Sequence, residues 1–244
     1  MSKSKNTRGF ERFLSVVRCL PSWFIYPCSQ AFFEGKSTFA VGHMALGYLT
    51  SKASSKALGV RINIPLIFLG SMLPDVDLLL GLQHRGPTHS LIVYAAIFVP
   101  VFFLLGKRVV PFFVSLAQHS LLGDLLTGGG VQLLWPVTSR QYGMPVQITS
   151  GLSITLEWVV FLASLALLWK TRDVSSLFQH HSYNLLLTVP LVALILPAFM
   201  SFPLTVPAVL IVPHLVFLAI LAFSVILDIK GALKARHGDI LKIG

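Results

Sequence analysis

The sequence predicts an all-α, polytopic membrane protein, an up-and-down bundle with about six or seven membrane helices. The first observation is composition: 55% of the 244 residues are hydrophobic and 11% are charged, whereas soluble domains carry about 25% charged residues. The second is that the apolar runs are long and lack the residue-by-residue alternation of a membrane β-barrel strand. The third is that lysines and arginines lie in short segments between these runs, where they act as topology signals.

Residues 1–37 are predicted to form a basic N-terminal extension with an apolar, membrane-associated segment. Five basic residues precede residue 19, and the run 19–33 is apolar and aromatic but contains Pro21 and Pro27. This run lacks a clear small-residue cleavage pattern, which disfavours a signal peptide. An interfacial anchor and a single poor membrane span are both left open for it.

The rest of the chain is predicted to form one domain, with a metal-site helical core over 38–150 and C-terminal transmembrane helices over 151–244. Ser37 or Thr38 is the expected N-cap of a helix over 39–57. A second helix, over 62–73, ends at Pro74, because the residue before a proline disfavours the α region. Residues 78–89 are expected to form a connection. The further apolar segments are 90–106, 109–126, 152–169, 185–200 and about 205–227.

Ionisable side chains stand near several of these predicted helix ends. Such groups are costly beside hydrocarbon, so in a membrane protein they are candidates for a functional site. In an up-and-down bundle consecutive helices are antiparallel, and the start of one helix, the end of the next and the start of a third share one rim. By this counting the following residues meet at one rim: His43, Asp75, Asp77, His84, His89, His119, Asp124 and Glu157.

The opposite rim is expected to hold most basic residues of the helical part, including Lys52, Lys107 and Lys170, together with the C-terminal tail. The positive-inside rule makes that rim cytoplasmic. We therefore expect a protein of the cell (inner) membrane whose site faces the outside or the periplasm. The net charge of +10 is explained by these topology signals and by contact with anionic lipid. The expected partner is the lipid bilayer, and no nucleic acid is expected.

The chemistry of these residues suits a divalent metal. Imidazole and carboxylate ligands favour zinc, and also accept manganese or iron. A bound zinc ion lowers the pKa of its water to about 7 and so supplies a nucleophile at neutral pH. The candidate metal ligands, enough for one or two ions, are His43, Asp75, Asp77, His84, His89, His119 and Asp124. On a regular helix His119 and Asp124 point about 140° apart, so they can share one ion only at a distorted helix end.

Two further residues are candidates for catalysis. Arg85 can stabilise negative charge on an anionic substrate, or it can pair structurally with Asp77. Glu157 lies inside an apolar segment and can be a ligand, a proton acceptor or a hydrogen-bonded structural group. The two cysteines, Cys19 and Cys28, match no zinc-site spacing and no disulfide framework.

Four strings of the sequence belong together: Gly42-His43, Leu73-Pro74-Asp75-Val76-Asp77, His84-Arg85-Gly86-Pro87-Thr88-His89-Ser90-Leu91, and Asp124-Leu125-Leu126-Thr127 with residues 130–136. In this order they resemble the motifs of the YdjM-like membrane-bound metal-dependent hydrolases, a family also described as LexA-binding, inner-membrane-associated hydrolases. The resemblance covers about residues 40–145. It implies metal ligands at His43, Asp75, His84 or His89, and Asp124.

The resemblance also implies an activity. The family is distantly similar to zinc-dependent phospholipase C and related nucleases, which are all-α enzymes that hydrolyse phosphoesters. Two positions differ from the family pattern: Leu78 stands where the family usually has a histidine, and Ser120 stands where it usually has the histidine that precedes the aspartate by four residues. Either His119 substitutes for that histidine through a local shift, or the ligand is lost.

Together these observations predict an integral membrane metal-dependent hydrolase that uses metal-activated water to cleave a phosphoester of a lipid or a small molecule. Two alternatives are left open. One is a non-enzymatic membrane protein with a structural or regulatory metal or polar site. The other is a proton- or cation-coupled transporter that uses the intramembrane carboxylates.

Overall fold

The fold is taken from a computed structural model that describes residues 38–126, 130–144, 146–180, 182–202 and 205–240. The predicted N-terminal extension, 1–37, lies outside the described residues. Within the described residues the secondary structure is helical, and the β pairing is limited to an isolated bridge between Val131 and Tyr142. The all-α prediction is therefore confirmed for the part of the chain that the structure describes.

The longer α-helices of the described residues agree closely with the predicted apolar segments, whereas the short helix Asp173–Leu177 matches none of them. Two further differences concern residues 78–89 and the last helix. Residues 78–89 contain most of a short helix and a 3-10 turn, Pro87–His89, where a plain connection was expected. The last helix continues past residue 227, because the residues that follow include strong helix formers such as alanine, leucine and lysine. The helices are α1 (Ala40–Leu58), α2 (Ile64–Met72), α3 (Val76–Leu80), α4 (Leu91–Leu105), α5 (Val110–Gln118), α6 (Gly151–Lys170), α7 (Asp173–Leu177), α8 (Thr188–Phe199) and α9 (Ile211–Ile240).

The N terminus of α1 is not capped as predicted. Its N-cap residue is Phe39, whose backbone is extended and whose side chain makes no capping hydrogen bond. The Thr38 hydroxyl donates to the carbonyl oxygen of Gly123, 2.8 Å away, and so ties the start of α1 to the region after α5. The prediction that Thr38 caps the helix was wrong, because its hydroxyl bonds to a residue distant in the sequence instead. Ser37 lies outside the described residues.

Three helical stretches have the length and composition to cross a membrane: Leu91–Asp124, Gly151–Lys170 and Ala208–Leu233. A shorter apolar stretch covers Tyr183–Phe199. This chain is therefore an all-helical membrane protein with three candidate spans among the described residues. The expected count of six or seven membrane helices is not confirmed.

The stretch Leu91–Asp124 is a helical hairpin, with α4 and α5 as its arms. The Phe98 and Phe113 rings lie 4.4 Å apart, and the Tyr94 and Ser120 hydroxyl oxygens are 3.0 Å apart. Residues early in one arm therefore contact residues late in the other, which only antiparallel arms allow. The turn between them, Gly106–Val109, is 3-10 helical and carries the two exposed basic residues of this loop. A sharp charged turn at this position was predicted.

The helix α1 runs through the centre of the fold and fixes its two ends. Its buried Met44 and Tyr48 belong to the main apolar core, together with Phe68 of α2 and Phe217 of α9. At the C-terminal end of α1, Lys107 donates to the Leu58 carbonyl oxygen at 3.0 Å. The polar candidate residues gather at the other end of α1, as the counting of antiparallel helices predicted.

Candidate metal centre

Four buried ligand atoms from three separate segments converge beside the N-terminal half of α1. The Asp75 Oδ1 atom lies 3.2 Å from His119 Nε2 and 3.5 Å from His89 Nε2. The Asp124 Oδ2 atom lies 3.4 Å from His119 Nε2 and 3.3 Å from His89 Nε2. None of these four atoms has a hydrogen-bond partner among the described residues. Buried polar atoms are nearly always satisfied, so these four atoms are candidates to bind a ligand.

Three of these atoms are close enough to one another to share a metal ion. His89, His119 and Asp124 offer ligand atoms that all lie within 4.8 Å of one another, and Asp124 Oδ2 is 3.3 and 3.4 Å from the two imidazole nitrogens. Those two separations match the distance of about 3.3–3.4 Å between two ligands of a tetrahedral zinc ion with bonds of about 2.0–2.1 Å. His89, His119 and Asp124 can therefore hold one divalent ion, with Asp75 Oδ1 beside both histidines.

A π-helical turn brings His119 and Asp124 together. Residues His119–Asp124 form this turn at the end of α5, and its wider pitch is marked by the hydrogen bond from the Leu125 N–H to the Ser120 carbonyl, 3.0 Å. A π turn contains more residues than an α turn, so side chains five positions apart come close to the same face. The distorted helix end that the spacing required is confirmed. His119 supplies an imidazole to the cluster, whereas the Ser120 hydroxyl faces Tyr94.

Hydrogen bonds fix the tautomers of the two histidines. His119 Nδ1 lies 2.6 Å from the Ser71 carbonyl oxygen, which can only accept, so this nitrogen carries a proton. The Thr88 hydroxyl donates to Asp77 Oδ2 at 2.6 Å and lies 3.0 Å from His89 Nδ1, so it accepts from that nitrogen. In both neutral rings the lone pair is then on Nε2, the atom that faces the cluster, as metal-binding histidines require.

Asp77 stands behind the histidines, outside the converging groups. Its Oδ1 atom is 3.1 Å from His84 Nδ1, its Oδ2 atom accepts from Thr88, and it lies 3.4 Å from His89 Nδ1. Burial alone would raise the pKa of Asp77, but the hydrogen bonds from His84 and His89 lower it below its usual value. Carboxylates in this position orient metal-binding imidazoles, so the placement favours an orienting role for Asp77 over a direct ligand.

Arg85 pairs with Asp124 rather than with Asp77, the partner considered from the sequence. Its Nη2 atom is 3.0 Å from Asp124 Oδ1, the oxygen that points away from the cluster. Arg85 is buried and has a left-handed backbone, φ 61°. No local sequence pattern indicates this pairing, because 39 residues separate the two side chains.

His43 and His84 lie at the margins of the cluster. The His43 ring stacks on the His119 ring, with centroids 3.7 Å apart, and its Nε2 atom is 3.9 Å from Asp124 Oδ1. His84 is 18% exposed and lies 4.0 Å from Asp75 Oδ1. Two overlapping sets, His43–Asp75–His119 and Asp75–His84–His89, could also hold an ion.

The charges of the cluster favour a divalent cation. Asp75, Asp77 and Asp124 contribute three negative charges and Arg85 one positive charge, and either two protonated histidines or one divalent ion beside neutral histidines would complete the balance. Buried charge that is not compensated is strongly unfavourable. Burial by itself lowers the pKa of His89, but Asp124, Asp75 and Asp77 outweigh it and raise that pKa well above its usual value. The same negative field attracts a cation.

Glu157 lies apart from the converging atoms, at the N terminus of α1. Its Oε1 atom accepts the Phe39 N–H at 2.9 Å. A side chain on Gly42 would collide with this carboxylate, so the glycine permits the close approach. The carboxyl group thereby satisfies one of the N–H groups that lack a partner at the start of the helix. Among the roles considered for Glu157, this placement favours the structural one, in which it holds the turn of α1 that carries His43.

Three contributors to the cluster were missed in the sequence. Ser71 contributes its backbone carbonyl group, which accepts from His119. Every residue has such a group, so the residue type does not identify Ser71. The Thr88 hydroxyl donates to Asp77, eleven residues away. Thr88 lies within the string that resembles the family motif, and its place in that string was the signal that could have identified it. Gly123 lies against the imidazole of His43, where an added Cβ atom would overlap the ring. Thr127, Gly128 and Gly129 lie outside the described residues.

Fold and cluster define a class: an all-helical membrane protein with a buried histidine–aspartate centre. The chain belongs to the YdjM inner membrane protein family, whose sequence model matches residues 38–205. This match confirms the resemblance found in the motifs. Comparisons with curated proteins and with solved structures found no match.

Proposed function

We propose that this protein is a metal-dependent hydrolase of the membrane that cleaves a phosphoester. The observation that supports the proposal is the convergence of buried, unpartnered ligand atoms of His89, His119 and Asp124 within 4.8 Å of one another, with Asp75 beside them. His89, His119 and Asp124 would hold the ion, with Asp75 as a further ligand. Zinc suits this donor set, and manganese or iron are the alternatives. His43 would complete a second ion's ligands beside Asp75.

A bound divalent ion supplies Lewis acidity and lowers the pKa of the attacking water. The residues of the chain supply the rest. Arg85 holds Asp124 in place, and its positive charge favours an anionic phosphoester. As the water oxygen bonds to phosphorus and the ester P–O bond breaks, the leaving oxygen needs a proton. His84, partly exposed and held at Nδ1 by Asp77, is placed to deliver that proton from Nε2.

The test of this proposal combines metal analysis with hydrolysis of bis(p-nitrophenyl) phosphate. Protein purified without chelator should contain about one divalent ion per chain and should cleave the ester. His89→Ala should lower both metal content and turnover by at least about 100-fold, because buried charge pairs lose about 3–5 kcal/mol when one partner is removed. The matched control is His180→Ala, since His180 is 57% exposed and pairs with Asp228 outside the cluster. Wild-type protein without any metal would refute the proposal.

A non-enzymatic metal site is the second candidate, and one observation favours it. If Asp75 joins His89, His119 and Asp124, four protein ligands close the site, as in structural zinc centres, whereas catalytic zinc ions keep one position open. An open position would lie beside Asp75, whose side chain is 16% exposed. Full metal content without turnover of any ester in a broad panel would select the non-enzymatic function.

We also infer that the cluster faces the outside or the periplasm. Six helices of the described residues, α1, α4, α5, α6, α8 and α9, would form the membrane bundle. Basic residues are exposed at the opposite end, among them Lys56, Lys107 and Arg172, and the positive-inside rule makes that end cytoplasmic.

Cysteine labelling tests this orientation in a background without Cys19 and Cys28. With a membrane-impermeant maleimide on intact spheroplasts, Arg140→Cys should react at once, because Arg140 is exposed in the loop on the side of the cluster. Lys107→Cys should react only after the membrane is opened. The reverse pattern would place the cluster in the cytoplasm.

A further inference from the structure

An apolar crevice leads to the metal-binding cluster. It lies between the start of α1, the end of α2, α3 and one face of α8, and Asp75 is part of its wall. The remaining wall residues are apolar except for Thr38, whose hydroxyl is occupied by the Gly123 carbonyl. Leu78, at the position where the resemblance leads one to expect a histidine, also lines it. The crevice therefore favours hydrocarbon along its length and offers a carboxylate at one point.

The crevice is the approach to the cluster. The side chains of His89, His119 and Asp124 are fully buried, whereas the Asp75 side chain is 16% exposed. A substrate must therefore arrive on the side of Asp75 and of the partly exposed His84. Any part of that substrate that continues along the wall meets Leu79, which is 50% exposed.

The helix α8, which we place in the membrane, forms one wall of this crevice. Val189, Ala193 and Leu196 of α8 line one wall, and spacings of four and three residues place them on one helix face. The apolar helical stretch that contains α8 runs from Tyr183 to Phe199, about 26 Å at 1.5 Å per residue, and so covers most of the roughly 30 Å of the hydrocarbon layer. The apolar molecules that surround a helix at this depth are lipids, and no segment of the described residues fills the crevice.

We propose that the crevice binds one acyl chain of a lipid phosphoester whose phosphate lies at Asp75 and His84. The proposal rests on the proposed hydrolase function for its reaction, but the binding of the chain stands by itself. It assigns the substrate to membrane lipids, with the phosphate at the rim and the chain directed along α8. A water-soluble phosphoester would lack the contacts with Leu79 and Ala193.

Photocrosslinking measures the chain directly. The probe is phosphatidylglycerol with a diazirine in the middle of one acyl chain, in vesicles that contain the full-length protein. Labelling of the peptide with Val189–Pro197 is compared with labelling of the peptide with Phe103, which is 83% exposed on α4 and reports general lipid contact.

Two pairs of variants separate the crevice from the rest of the surface. Leu79→Glu places a charge in the wall, and Leu80→Glu is its control, because Leu80 is 60% exposed but lies outside the crevice. Ala193→Trp fills the crevice, and Ala198→Trp is its control on the same helix. Each crevice variant should lower crevice labelling relative to Phe103 by about tenfold, because the acyl chain loses apolar contacts with the wall. The controls should keep wild-type labelling.

The outcomes are distinguishable from a failure of the proposed function. If labelling is equal in all variants, the acyl-chain proposal is overturned, whatever the activity. If the crevice variants lose labelling and cleavage of the long-chain lipid but keep cleavage of bis(p-nitrophenyl) phosphate and metal content, both proposals hold. If wild-type protein cleaves neither ester but labels in the expected pattern, the hydrolase function fails and the crevice stands as a lipid-binding site.

Discussion

Asp124→Asn should remove the bound metal and the metal-dependent part of the protein's thermal stability. The asparagine keeps the size of the side chain, so packing is preserved, but it removes the charge that faces His89 and His119 at 3.3 and 3.4 Å. Breaking such a buried charge pair costs about 3–5 kcal/mol, which corresponds to a loss of metal affinity of at least about 100-fold. Metal analysis after dialysis, and Tm with and without chelator, measure the effect.

The control for this variant is Asp173→Asn. Asp173 also forms an ion pair, with Lys52 at 2.5 Å, but at the other end of α1. Chelator should lower the Tm of wild-type protein and of Asp173→Asn by the same amount, because ligand binding to the native state stabilises it. Chelator should leave the Tm of Asp124→Asn unchanged. An Asp124→Asn protein that keeps a full equivalent of metal would contradict the assignment of this carboxylate as a ligand.

Exchanging His119 and Ser120 should also abolish metal binding, although the composition of the chain is unchanged. In the π turn, His119 faces Asp75 and Asp124, whereas Ser120 faces Tyr94. Moving the imidazole by one position rotates it by roughly 80–100° about the helix axis, given about 3.6–4.4 residues per turn. The ring would then meet Tyr94, and the cluster would lose one of its four ligands.

Ser120→Ala is the control for the exchange. It removes only the hydroxyl contact with Tyr94, a loss of about 1 kcal/mol, and should keep the metal. If the exchanged protein binds metal as the wild type does, the turn has re-formed as a regular helix with the histidine four residues before Asp124. The π turn would then be dispensable for metal binding.

Local patterns carried most of the fold prediction. The bounds of α1, α4 and α6 follow from the lengths of apolar runs, because the hydropathy of a segment depends only on its own residues. The turn at Lys107 and Arg108 could be predicted for the same reason. Thr38 was misjudged because its hydroxyl bonds to Gly123, 85 residues away, and no local pattern carries such a contact.

The sequence by itself determined that this is a helical membrane protein, that its ionisable residues gather at one end of α1, and that His119 and Asp124 need a distorted helix. Only the tertiary structure decided the role of each residue. Asp75 and Asp77 belong to one motif two residues apart, yet one faces the metal-binding point and the other supports histidines from behind. The physical reason is that hydropathy and spacing are properties of a segment, whereas a ligand set depends on which orphaned atoms from distant segments come within about 3.5 Å of one another.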